Sequence, residues 1–90
     1  MQAPTELAYG TAYDPITDCY CSIAYIQHQY GLRTGFDVDT HWVSKLKEML
    51  NISKDGMFTC LVRMNDAEPT NEGRLRVFRT WCKTNKVELT

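Results

Sequence analysis

The stretch Pro69–Asn85, PTNEGRLRVFRTWCKTN, restricts what this chain can fold into more than any other. At about 100° of rotation per residue, Leu75, Val77, Phe78, Trp81 and Cys82 fall within one arc of roughly 160°. Arg76, Arg79, Lys83 and Lys86 gather on the opposite side. The pattern predicts a helix over 70–84, capped by Thr70 or Asn71, with one face to bury and one cationic face to present. Such a helix is stable only when other elements cover its apolar arc, so the rest of the chain must provide them.

The segment before it carries a different period. From Met57 to Met64, Phe58, Cys60, Val62 and Met64 alternate with Met57, Thr59, Leu61 and Arg63, which predicts a strand with one wholly apolar face. After Asn85, Lys86–Leu89 is short and extended in character. Strand 57–64, helix 70–84 and strand 86–89 would then make a strand–helix–strand unit with parallel strands and a right-handed crossover.

Two helices are expected upstream. Asp14 followed by Pro15 reads as an N-cap with proline at the first helical position, and Asp18 would favour the positive end of the helix dipole. Ile16, Cys19, Tyr20, Ile23, Ile26 and Tyr30 recur at spacings of three and four, and Gly31 with Leu32 suits a Schellman ending. The second helix starts at Asp37 or Asp39, buries Trp42, Val43, Leu46, Met49 and Leu50, and closes at Asn51. Ser53–Gly56 turns the chain. Residues 1–13 suit an edge strand, a packed arm or a flexible lead-in, because Pro4 and Gly10 bracket Thr5–Tyr9. Ninety residues leave room for one core. The expected fold is a single α+β domain over 1–90: two N-terminal helices, then the strand–helix–strand unit, with a sheet of two or three strands. The chain is expected to be a complete small gene product.

The net charge of −1 argues against a dedicated nucleic-acid binder, but it averages two unlike ends. From Met1 to Asp39, Glu6, Asp14, Asp18, Asp37 and Asp39 are offset only by Arg33. From Arg74 to Lys86 there are five basic residues and no acidic one. No apolar run has the length of a transmembrane helix and the N-terminus lacks the features of a signal peptide, so a cytoplasmic protein without membrane partners is expected. In that setting the four cysteines read as reduced thiols, with Cys60 and Cys82 in the core.

No motif assigns chemistry. Cys19 and Cys21, two apart on a helix, point to nearly opposite sides and cannot easily share an ion or bridge each other. A zinc site drawn from Cys19, Cys21, His28, His41, Cys60 and Cys82 has no support in the spacing. Cys21, on the less apolar side, is the thiol expected to be most accessible. His28 and His41 lack a paired carboxylate or oxyanion-loop context, and no G-x-S-x-G or phosphate-cradling glycine motif occurs. No catalytic residue, metal or cofactor is therefore assigned.

Two surfaces remain as partner-binding candidates. One joins Tyr9, Tyr13 and Tyr25 to Asp37 and Asp39, since tyrosine offers contact area and a polar handle at low entropic cost. The other is the basic set Arg74, Arg76, Arg79, Lys83 and Lys86. The leading expectation is a small non-enzymatic protein-binding module, monomeric or dimeric, that inhibits or regulates a host or cognate protein complex. Small size without motifs suits the anti-defence inhibitors of phages and mobile elements. The alternative is a nucleic-acid-binding regulator that uses the basic face of helix 70–84. A thiol- or metal-dependent enzyme is the third class.

Overall fold

A computed structural model of the protein describes residues 1–32, 40–52 and 56–90. In chain order these form β1 (Tyr13–Asp14), β2 (Cys19–Tyr20), α1 (Ser22–Gln29), α2 (Thr40–Met49), α3 (Gly56–Ala67) and α4 (Asn71–Thr84). The secondary structure is mixed, but its order corrects the expectation. A hairpin of two-residue strands and one short helix replace the first long helix, and α3 replaces the strand at 57–64. No strand–helix–strand unit exists among the described residues.

The stretch 69–85 behaves as its periodicity predicts. Thr70 caps α4, its hydroxyl accepting from the Gly73 N–H at 3.1 Å. Phe78, Trp81 and Cys82 are buried and Leu75 and Val77 half-buried. They join a core cluster that includes Leu7, Ile23, Ile26, Leu46, Leu61 and Val87. One basic residue breaks the predicted pattern: Arg74 lies on the buried side of α4, only 8% exposed.

The helix ends follow one rule. After α1, Gly31 takes φ +72° while its N–H bonds the His28 carbonyl and the Leu32 N–H bonds that of Gln27, the expected Schellman ending. Asn51 (φ +55°) and Ile52 close α2 the same way. After α4, Lys86 takes φ +57° and the Val87 N–H bonds the Cys82 carbonyl at 2.8 Å. That ending replaces the expected strand at 86–89, and Val87 turns into the core instead of pairing in a sheet. The last residues meet the first: the Thr90 N–H bonds the Met1 carbonyl at 2.8 Å, and the Met1 ammonium donates to the Glu88 carbonyl at 3.1 Å.

The hairpin explains the failure of the first predicted helix. The Asp14 carboxylate accepts from the Ile16 N–H at 2.9 Å, so it organises a turn and not a helix start. Tyr13 pairs with Tyr20 and Asp14 with Cys19 across a four-residue loop that Asp18 closes at φ +55°. The Ala8 N–H donates to the Tyr20 carbonyl and the Cys21 N–H to the Ala12 carbonyl, both at 2.8 Å. The N-terminal segment thus satisfies backbone groups that a helix would have used internally. Ile16, expected on a buried stripe, is 93% exposed at the loop apex, whereas Ile23 and Ile26 are buried as expected.

In α3 the apparent alternation misleads because one core residue is polar. Leu61 and Asn65, four apart, are fully buried, whereas Cys60, Arg63 and Met64 are exposed. That is helical spacing. Packing against α4 and α1 outweighs the strand preference of a short alternating run. Pro69 disfavours helical geometry at Glu68 and ends the element. Cys60 therefore leaves the expected core. In α2, Leu46 is buried and Val43 and Leu50 half-buried, but Met49 faces out. The predicted caps Asp37 and Asp39, and the turn at Ser53–Asp55, lie outside the described residues.

Candidate binding face

The N-terminal arm lies against α3 and α4, bonded by their side chains as well as by the backbone of the hairpin. The Asn71 amide donates to the Thr5 carbonyl at 3.0 Å and its oxygen accepts from the Leu7 N–H at 2.9 Å. Arg74 Nε donates to the Leu7 carbonyl at 2.9 Å and Nη1 to the Glu68 carbonyl at 2.8 Å. Asn65 donates to the Ala8 carbonyl at 3.0 Å and accepts from the Ser22 hydroxyl at 2.8 Å. The bonds to Leu7 and Ala8 satisfy backbone carbonyls that would otherwise be buried without donors. Arg74, assigned from sequence to the basic binding surface, is thus a staple for the arm. Its guanidinium also sits 5.3 Å from the ring centre of the exposed Tyr9.

With the arm fixed, a groove of about 490 Å³ opens between Gln2–Glu6, the Thr17–Tyr20 side of the hairpin, and Tyr25, His28 and Gln29 of α1. Tyr20 is central to a stack: the Tyr13 ring lies 4.9 Å away at 40°, and the His28 ring 4.7 Å away at 18°. His28 is exposed, so the stack ends at solvent. The Tyr13 hydroxyl donates to Asp18 Oδ1 at 2.8 Å, which raises the phenol's pKa because the bond would be lost on ionisation beside a carboxylate. Tyr25 sets its ring edge-on to Phe78 at 5.7 Å and donates its hydroxyl to the Gln2 carbonyl at 2.6 Å. Burial raises its pKa as well.

Three of the thiols, Cys19, Cys21 and Cys82, are poor nucleophiles in this setting. Cys19 Sγ lies 3.1 Å from Glu6 Oε2, and burial together with that carboxylate pushes its pKa up. Cys21, expected to be the accessible thiol, is only 5% exposed and shifted upward by burial. Burial pushes Cys82 up to about 11. All four cysteines are unpaired. Among the described residues no three metal-ligating side chains gather, and no helix is long and apolar enough to cross a membrane.

The second candidate surface is simpler. Arg76, Arg79 and Lys83 are exposed along α4, with Lys86 just past its end. None of the four takes part in an ion pair among the described residues. Asp37 and Asp39, the acidic members of the other predicted surface, lie outside the described residues. Of that set, Tyr25 lines the groove, Tyr13 contacts the lining residues Tyr20 and Asp18, and Tyr9 lies near Arg74. Sequence reasoning missed Glu6, Asp18, Tyr20 and His28 as groove residues. The available signal was the run Asp14-Pro15-Ile16-Thr17-Asp18, whose turn-forming residues mark a loop as well as a helix start.

Compared with family models, with curated proteins and with solved structures, the chain matches none of them.

Proposed function

We propose that the protein is a small non-enzymatic protein-binding module that inhibits or regulates a larger protein or complex through its N-terminal face. The observation that supports this most is the Tyr13–Tyr20–His28 stack beside a groove whose walls are already fixed by hydrogen bonds. Aromatic groups held in place lose little entropy on binding and suit the centre of a protein interface. Protonated, largely buried thiols at Cys21 and Cys82 weigh against a thiol enzyme. The cytoplasm, where cysteines stay reduced, is the compartment that suits the four unpaired thiols.

A second reading, nucleic-acid binding through α4, is favoured by Arg76, Arg79 and Lys83, exposed and without ion-pair partners among the described residues. A net charge of −1 counts against it. The two readings separate in one capture experiment. Tagged protein is expected to retain a specific protein from nuclease-treated lysate, and Thr17→Trp, which fills the groove from an exposed loop position, is expected to release it. Retention that vanishes on nuclease treatment would favour nucleic acid. Undiminished retention by Thr17→Trp would exclude the groove as the protein-binding site.

A further inference from the structure

We infer that the groove receives an arginine side chain from an extended basic segment of the partner, an inference that rests on the protein-binding reading above. Its polar chemistry selects for that group. Among the described residues lining it, Glu6 and Asp18 are the carboxylates, and there is no lysine or arginine. The wider surroundings have the same sign: from Met1 to Leu32, Glu6, Asp14 and Asp18 are matched by no lysine or arginine. Each groove carboxylate spends one oxygen internally, Glu6 Oε2 on the Cys19 thiol and Asp18 Oδ1 on the Tyr13 hydroxyl. Glu6 Oε1 and Asp18 Oδ2 have no hydrogen-bond donor among the described residues.

Several neighbouring donors are already committed. The Tyr25 hydroxyl is used on Gln2, and the Gln2 N–H on Gln29 Oε1 at 3.3 Å. The free carboxylate oxygens are the groove's anionic acceptors, and the exposed His28 ring ends the stack beside them. A guanidinium supplies five donors, no acceptor and a flat cation that stacks on rings. An anionic ligand would meet two carboxylates, and an ammonium would meet a ring only as a point charge, without a plane to stack on it. A volume of about 490 Å³ lies within the range of pockets that hold small ligands, ample for one long side chain and its neighbours.

The internal bonds also pre-position the acceptors. Asp18 is held at φ +55° at the close of the hairpin loop, and Glu6 lies on the arm fixed by Asn71 and Arg74. Binding then orders little of this protein, which favours recognition by a short segment.

The test is a titration of the isotope-labelled full chain with hexa-arginine amide, followed by backbone amide shifts, with hexalysine and hexaglutamate as comparisons. Hexa-arginine is expected to shift Glu6, Asp18, Cys19, Tyr20 and His28 saturably, and hexaglutamate is not. Glu6→Gln with Asp18→Asn is expected to weaken binding by about tenfold or more, because two charge-assisted contacts are lost. Asparagine tolerates the left-handed backbone at position 18, so the turn is retained. Independently of that variant, wild-type affinity is expected to fall as salt rises. Absence of shifts at these residues, salt-independent binding, or hexalysine binding as tight as hexa-arginine would overturn the inference. Concentration-dependent shifts at the same residues without peptide, abolished by Arg76→Glu with Arg79→Glu, would overturn the heterologous partner in favour of a second copy. If hexa-arginine fails while Thr17→Trp still releases the captured protein, the arginine assignment falls and the protein-binding reading stands.

Discussion

On the N-terminal face, Glu6, Asp18, Tyr13 and Tyr25 each hold a neighbour by a hydrogen bond, and Tyr20 is stacked against rings on two sides. On α4, Arg76, Arg79 and Lys83 stand in water without ion-pair partners among the described residues. The acidic face has already lost much of the side-chain freedom that binding removes, whereas the basic stripe retains it. Opposite in charge, the two surfaces differ also in rigidity and shape. That contrast makes the groove the better candidate for specific protein recognition.

The largest effect is expected where the two surfaces share a helix. Arg74 holds the arm from the buried side of α4, and Arg74→Ala should cost about 2–4 kcal/mol by removing hydrogen bonds from a buried charged donor. Urea unfolding should show the loss as a lower midpoint, and release of the arm should shift the Tyr20 and His28 amides. A cost under about 0.5 kcal/mol, within the range of ordinary surface changes, would break the link between α4 and the groove.

A smaller effect of opposite sign is expected at Lys86. Its φ of +57° burdens a residue that carries a Cβ, so Lys86→Gly should raise stability by about 1 kcal/mol while removing one charge from the stripe. Thermal unfolding would register the gain, and unchanged retention of the captured protein would show that this charge is dispensable. The smallest effect belongs to the stripe itself. Arg79→Glu with Lys83→Glu should change stability by no more than about 0.5 kcal/mol, because both side chains are exposed and make no ion pair among the described residues. The same double variant should retain the protein partner, and its loss would shift the binding site to α4.

Features set by neighbours in sequence were legible; those set by distant contacts were not. Thr70, the 75–82 apolar arc, the Gly31–Leu32 ending and Asn51 all follow local rules of capping and periodicity. The hairpin at 13–20 depends on bonds from Ala8 to Tyr20 and from Cys21 to Ala12, and nothing local to Asp14-Pro15 distinguishes that outcome from a helix start. In α3, the buried Asn65 counts as polar in any pattern, yet it is core because it bonds Ala8 and Ser22. Arg74 misled for the same reason. The binding candidates were only partly legible: clustered tyrosines in the first third drew attention to Tyr13 and Tyr25, but Glu6, Asp18, Tyr20 and His28 meet only once the arm and hairpin fold together.

Hydrogen exchange on the captured complex compares the two surfaces most directly. Protection on partner binding is expected at the amides of 2–6, 17–20 and 25–29 and not along the exposed side of α4. Protection confined to 76–86, with the groove exchanging as in the unbound protein, would contradict the assignment of recognition to the N-terminal face.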